Sequence, residues 1–265
     1  MASLRLLSTD FDGTLIGPSG EGCPEALAQI LVEHHRQGGL WAVNTGRGLE
    51  HILEGLEDFS APVIPDYLLV NERAIYRREG ELWESHEEWN RTCRKRHDEL
   101  NGLAGGFFGW VKEMADASDH TITIVYEDEL PAGLITSDEN MMEEVVLRVA
   151  EAARDVPGFA FQRNSIYMRF CHRDYHKGSS LRELCRMENL SPEEVFAVGD
   201  HFNDTSMLDG THAGMTACPA NAIEAVKETV RRAGGYLSEA SWAHGVAEAL
   251  RYYERRTSGR ESTCA

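Results

Sequence analysis

Cationic side chains are scarce in this 265-residue sequence: 26 Lys and Arg stand against 44 Asp and Glu, a formal charge of −18 at pH 7. That balance excludes a nucleic-acid partner, because such binding rests on neutralising many phosphates with Lys and Arg. It leaves room for a small anion, whose binding depends on local charge and on any metal ion beside it. Paired cysteines are missing as well. Cys23, Cys93, Cys171, Cys185, Cys218 and Cys264 show no CxxC spacing, which excludes a zinc cluster and a disulfide framework and fits reduced thiols. No apolar stretch approaches the about 20 residues of a membrane span, so no membrane partner is expected. The opening MASLRLLSTDF reaches charged residues too soon for a signal peptide, and a cytoplasmic location is expected. Repeats and low-complexity tracts are absent, and composition leaves the oligomeric state open.

What is present is an alternation of apolar runs and helical patterns. Hydrophobic residues make up 42% of the chain, enough for a large core or a core with a second, smaller domain. Short apolar runs occur at Leu4 to Ser8, LWAVNTG (40–46), DYLLVN (66–71) and EVFAVGD (194–200). Their length suits strands covered on both faces. Between the first two lies PEALAQILVEHHRQGG, with apolar residues at helical spacing and a Gly pair to end it. Before the fourth, KGSSLRELCRMENL reads as a helix, and Ser191, Pro192 and Glu194 have capping-box spacing. Strands alternating with helices indicate an α/β fold with a Rossmann-like parallel sheet.

The middle of the chain reads differently, as two helices (EEWNRTCRKRHDELNGL and GWVKEMADA), a strand (TITIVYED), a helix (SDENMMEEVVLRVAEAARDV) and two strands (FAFQ and IYMRFCH). Met142, Val145, Val146 and Val149 share one helical face, and Glu143, Glu144, Arg148 and Glu151 the other. The pattern predicts a small α+β domain at residues 84–172 inserted into a core of 1–83 and 173–265. The tail ERRTSGRESTCA is almost devoid of apolar residues and is expected to be loose.

Ligands of an open parallel sheet sit beyond the carboxyl ends of its strands. The residues there are Asp10 and Asp12 after the first run, Thr45, Gly46 and Arg47 after the second, and Asp200, Asn203 and Asp204 after the fourth. Lys177 opens the helix before that last run. Carboxylates, a hydroxyl, an amide and an ammonium thus converge on one rim.

This set resembles the haloacid dehalogenase superfamily of phosphohydrolases. The motifs are DFDGT (10–14), Thr45 in NTGR, Lys177 in HKGSSL and GDHFND (199–204), in family order and spacing. NERAIY and GMTACPANAIEAVKETV further resemble the subclass with an α+β cap between the second and third motifs. The resemblance implies a Mg²⁺-dependent phosphatase acting on a small phosphate monoester such as a sugar phosphate, with the cap closing over the site and choosing the substrate. It assigns Asp10 as nucleophile, forming an aspartyl-phosphate, and Asp12 as general acid and base. Mg²⁺ falls to the Asp10 carboxylate, the Asp12 backbone carbonyl and Asp200, and Asp204 orients water or Lys177 from behind. Thr45, Lys177 and the Gly46 amide are expected on the phosphoryl oxygens, with Asn203 near the phosphate or a metal water. Arg47 is expected to reach the phosphate or the cap.

The paired aspartates then make chemical sense. Alternate residues of an extended segment point the same way, so Asp12 is expected to face the reaction beside Asp10. Repulsion between the two would raise the pKa of Asp12 toward that of a working acid. His201 and Phe202 are bulkier than the family's usual residues in that loop, and Asn44 replaces a small apolar residue. A sugar phosphomutase is the alternative activity, for which the insert offers Arg91, Arg94, Lys95, Arg96, Arg163 and Arg169. A non-enzymatic sugar-phosphate-binding protein is the third reading.

Overall fold

The computed structural model of the protein describes residues 4–127 and 129–257. Asp128 of the expected strand TITIVYED, the tail from Ser258 onward and Cys264 lie outside the described residues. The chain opens with β1 (Leu6–Thr9), α1 (Glu25–Arg36), β2 (Leu40–Asn44), α2 (Leu49–Phe59), β3 (Tyr67–Val70), β4 (Ala74–Glu79) and β5 (Leu82–Ser85). There follow α3 (Glu87–Leu103), α4 (Gly105–Asp116), β6 (Ile122–Glu127), β7 (Leu130–Thr136), α5 (Glu139–Ala152), β8 (Phe159–Asn164) and β9 (Tyr167–His172). Last come α6 (Lys177–Glu188), β10 (Val195–Val198), α7 (Thr205–Leu208), β11 (Met215–Cys218), α8 (Glu224–Arg232), β12 (Tyr236–Leu237) and α9 (Trp242–Thr257). These elements form two compact units, Met1–Glu87 with Lys177–Ala265, and Glu88–His176.

The first unit is built on an eight-stranded sheet in the order β12-β11-β10-β1-β2-β3-β4-β5. It is parallel from β12 through β3, and the four apolar runs of the sequence fall on β10, β1, β2 and β3. Every residue of β1, β3, β10 and β11 is buried, which is why β1, β3 and β10 read as continuous runs instead of alternating ones. Leu6 stands opposite Leu40 on one side and Val195 on the other. The chain leaves β1 toward β2 and later returns to pair β10 on its other edge. The strand order therefore reverses at β1, and a crevice for ligands opens there.

The β4–β5 hairpin was not expected from the sequence. Its alternating Arg77, Arg78 and Glu79 hide an edge pair that extends the sheet antiparallel to β3, turning at Gly80 with φ +65°. Pairing of Arg78 with Trp83 places β5 with the first unit, whose N-terminal part runs to Glu87. Trp83 packs against the first unit's core. The capping box at Ser191 forms, with Glu194 accepting from the Ser191 backbone at 2.9 Å.

The second unit carries a four-stranded antiparallel sheet, β6-β7-β9-β8. Its core joins α4 and α5 to the sheet through Phe107, Phe108, Val145, Val149 and Phe170. Met142, Val145 and Val149 are fully buried as the helical face predicts, contributing roughly 1.5–3 kcal/mol each. Asp138 caps α5 by accepting from the Met141 N–H. β7 escaped the sequence reading because Pro131 and Gly133 read as loop. Gly133 is needed for close approach: a Cβ there would lie 2.3 Å from the Met168 carbonyl oxygen of β9.

Candidate active site

The site grows from the carboxyl ends of β1, β2, β3 and β10 and the start of α6. β1 is sealed on both faces, so the chain must turn polar as it leaves the sheet, and Asp10 emerges there at only 2% exposure. Gly13 has φ +81°, and a Cβ on it would lie 2.3 Å from Oδ2 of Asp200. Only glycine gives both that backbone and that closeness, so the first motif's turn and the fourth motif's carboxylate fit together. Thr14 Oγ1 lies 3.2 Å from Asp10 Oδ2 and 3.0 Å from Asp200 Oδ1, linking the two loops.

Lys177 is fully buried and its ammonium donates to Asp10 Oδ1 and Asp204 Oδ1, each at 2.6 Å. The other oxygen of Asp204 accepts from the backbone N–H groups of Asp200 and His201, both at 2.9 Å, and so folds the GDHFND loop. Gly199 makes room for this, since a Cβ there would lie 2.4 Å from the Asp204 carboxyl carbon. His201 uses its bulk locally: its Nδ1 accepts from the Phe202 N–H at 3.0 Å. Asn44 ties β2 to α6 by donating to the Lys177 carbonyl at 3.0 Å.

Carboxylate oxygens of Asp10, Asp200 and Asp204 lie within 4.8 Å of one another, and all three residues are buried. One ammonium does not balance them. Burial and the nearby Asp204 push Asp10 well above the usual carboxylate range against the pull of Lys177. Burial and Asp204 likewise push Asp200 up to about 7. Lys177 shows the other side of the sharing: burial works against its charge, yet Asp10 and Asp204 together hold it above ordinary lysine. A buried all-oxygen cluster short of positive charge fits a hard divalent cation, and Asp10, Asp200 and Asp204 could hold one.

Asp12 and Arg47 are paired with each other. Arg47 donates from Nε to Asp12 Oδ2 at 2.8 Å and from Nη2 to Asp12 Oδ1 at 2.6 Å. Its Nη1 reaches the His51 carbonyl, and its guanidinium lies 4.9 Å from the Phe11 ring centre. Arg47 is therefore engaged with the Asp12 carboxylate. The carboxylates crowding Asp10 are Asp200 and Asp204, whereas the expected neighbour Asp12 is clamped by a cation. Fork-shaped Arg pairs with a planar carboxylate more strongly than two acids can share a rim.

Thr45 is buried and its Oγ1 accepts from the Arg47 backbone N–H at 3.1 Å, shaping the Thr45-Gly46-Arg47 turn. Asn203 is buried and donates from Nδ2 to Glu72 Oε1 at 2.8 Å. Glu72 was not singled out from the sequence, although it follows the third apolar run by the same strand-end logic. Asn221, in the segment GMTACPANAIEAVKETV, donates to the Gly13 carbonyl at 2.7 Å and accepts from the Trp242 N–H at 2.9 Å. It props the first motif's turn against α9. No helix among the described residues is long and apolar enough to cross a membrane.

Comparison with known proteins identifies the family. The haloacid dehalogenase-like hydrolase family matches residues 111–250, more than half of the chain. A putative phosphatase of Bacillus subtilis, YxeH, is 31% identical over 93% of this chain and 97% of its own length. A phosphoglycolate phosphatase of Methanosarcina acetivorans is 38% identical over 79 residues, which span 30% of this chain and only 32% of that protein. Among solved structures, the sucrose-phosphatase of Synechocystis superposes with a TM-score of 0.68 at 18% identity, covering 96% of this chain and 99% of the other.

Proposed function

The chain belongs to the haloacid dehalogenase-like hydrolase family, and from that premise we propose that it is a Mg²⁺-dependent phosphatase of a small phosphorylated metabolite, a sugar phosphate in the first instance. The observation that carries this reading is the convergence of Asp10, Asp200 and Asp204 around the buried ammonium of Lys177, from three separate stretches of chain. The names of the relatives, two phosphatases and a sucrose-phosphatase, support the substrate class.

In this reading a carboxylate oxygen of Asp10 attacks phosphorus, the P–O bond to the substrate alcohol breaks, and Asp12 delivers a proton to the departing oxygen. A water then attacks the aspartyl-phosphate, Asp12 takes its proton, and Asp10 is restored as inorganic phosphate leaves. Bound Mg²⁺ supplies charge neutralisation between the anionic nucleophile and the anionic phosphoryl group. Lys177 keeps Asp10 oriented and stabilises charge on the transferring group, while the Thr45-Gly46 turn offers its hydroxyl and amide to the equatorial oxygens. Arg47 fixes the orientation of the Asp12 carboxylate through its two bonds. Asp204 holds Lys177 and the fourth loop in place.

Choice of substrate is assigned to the second unit, Glu88–His176. The phosphomutase reading asks that unit for basic residues ready to take a second phosphate. Lys95 and Arg96 instead face Glu99, Arg163 faces Glu143 and Arg169 faces Glu127. The deciding experiment is a panel of phosphorylated metabolites with Mg²⁺, comparing wild type with Asp10→Asn. Release of inorganic phosphate by the wild type alone supports the reading, and release at equal rates by both removes Asp10 as nucleophile.

A further inference from the structure

Two adjacent non-glycine residues beyond β3, Asn71 and Glu72, hold left-handed backbone, with φ +50° and +64°. Such backbone is costly for residues with a Cβ, and it marks positions over-determined by their surroundings. Glu72 is also only 5% exposed, a burial that glutamate tolerates only when bonded. Its Oε1 accepts from Asn203 Nδ2 at 2.8 Å and lies 3.4 Å from where a Cβ on Gly46 would sit. The carboxylate thus stands beside two groups that the resemblance assigns to the phosphate. An anion there opposes an incoming phosphoryl group, so its place calls for another task.

The bond to Asn203 supplies one. A carboxylate only accepts hydrogen bonds, whereas a carboxamide donates from one end and accepts at the other. Glu72 therefore holds the NH₂ end of Asn203 and turns Oδ1 away from itself. That Oδ1 is buried, and no described residue donates to it. Leaving such an acceptor unmade is expensive in a folded protein, more so in a low-dielectric site.

We propose that Glu72 is a positioning residue that locks the Asn203 carboxamide, so that Asn203 serves the site as acceptor for an O–H donor and not as a donor to phosphoryl oxygens. The hydroxyl belongs either to a water or to the substrate. The inference rests on the phosphatase reading only for the source of that hydroxyl, since the lock itself is a property of the resting protein.

The test uses Glu72→Gln, which can present either end of its own amide, and Glu72→Gly, which accepts the left-handed backbone without steric cost. In side-chain amide NMR spectra of the isotope-labelled full chain, loss of one NH₂ pair in Asn203→Asp identifies Asn203. That pair should exchange with solvent at least about tenfold more slowly than exposed amides, and should shift in both Glu72 variants. Exchange as fast as an exposed amide, or no shift in either variant, overturns the lock whatever the enzyme's activity.

Kinetics with Mg²⁺ then separate the two sources. If water is the donor, Asn203→Asp and both Glu72 variants lose about tenfold in kcat on an aryl phosphate and a sugar phosphate alike, with KM little changed. If a substrate hydroxyl is the donor, the loss appears in KM for the sugar phosphate alone. Tighter binding of both substrates at unchanged kcat in Glu72→Gln reveals a carboxylate that merely repels phosphate, and overturns the proposal. A wild type that turns over neither substrate, yet shows the protected amide, sinks the phosphatase reading and leaves the lock standing.

Discussion

Arg47 grips Asp12 with one edge of its guanidinium, at 2.8 Å from Nε to Oδ2 and 2.6 Å from Nη2 to Oδ1. Both side chains are partly open to water, 29% and 43% exposed, so the pair adds little to folding. What it supplies is orientation of the residue assigned to move protons. Arg47→Lys keeps the charge but not the fork. It should lower kcat about tenfold, and Arg47→Ala about a hundredfold, while unfolding free energies stay within about 1 kcal/mol of wild type. Steady-state kinetics paired with thermal unfolding checks both halves. Unchanged kcat in Arg47→Ala would free Asp12 from any dependence on this clamp.

Lys177 is expected to matter for stability as well as turnover. Replacing it with Met keeps the length and leaves Asp10 and Asp204 buried with no cation between them. Breaking a buried pair in this way typically costs about 3–5 kcal/mol. Urea unfolding of metal-free Lys177→Met should show a loss on that scale, with activity abolished. Because the folded pKa of Lys177 is raised, its contribution is complete below the unfolded value of 10.5 and fades only as pH climbs through the higher folded value. Stability equal to wild type at pH 7 would mean that the acids have other cations.

Replacing Asp200 should have the opposite effect on stability from replacing Lys177 when metal is withdrawn. Burial and Asp204 hold its pKa up near about 7 against 3.8 unfolded. In the metal-free protein the native state then keeps a proton that the unfolded chain has lost, so stability falls as pH rises from about 4 through 7. Asp200→Asn removes this penalty. It should melt higher than wild type in chelator at pH 8, yet gain nothing from added Mg²⁺, whereas wild type should gain a saturable increase. Scanning calorimetry with and without Mg²⁺ measures both. A Mg²⁺-induced rise that survives in Asp200→Asn would place the ion elsewhere.

His34 provides a pH effect away from the site. Its Nε2 lies 3.0 Å from the Leu40 carbonyl oxygen, to which the neutral ring donates, and a Cβ on Gly39 would strike the ring at 2.2 Å. Burial is the main cause that lowers its pKa below 6.5. Between the folded value and 6.5 the unfolded chain binds the extra proton, so this group's contribution is present above 6.5 and is lost as pH falls. The slope is at most about 1.4 kcal/mol per pH unit. His34→Gln should be the less pH-sensitive protein between pH 5 and 7 in urea titrations, and Gly39→Ala should be destabilised. Parallel curves for His34→Gln and wild type would show that this ring does not titrate on unfolding.

Much of the fold was legible because its signals are local. Apolar runs such as those of β1 and β10 mark strands sealed on both faces, and Met142, Val145 and Val149 recur at the period of a helix. The hairpin at Gly80 and strand β7 were not legible. Charged edge residues in one case, and Pro131 with Gly133 in the other, carry loop signals that pairing with a neighbouring strand overrides.

The amino-acid sequence alone determined which chemistry is available: carboxylates at strand ends, a lysine opening a helix, and glycines where the backbone must turn or be approached closely. Residue types and short spacings are enough for that. Tertiary structure alone decided which group meets which: Arg47 on Asp12, Asn44 on the Lys177 carbonyl, Glu72 on Asn203. Partners separated by 35, 133 and 131 positions are chosen by convergence of sheet ends. A guanidinium or an amide bonds whichever acceptor the packed core brings within 3 Å, and no local pattern encodes that choice.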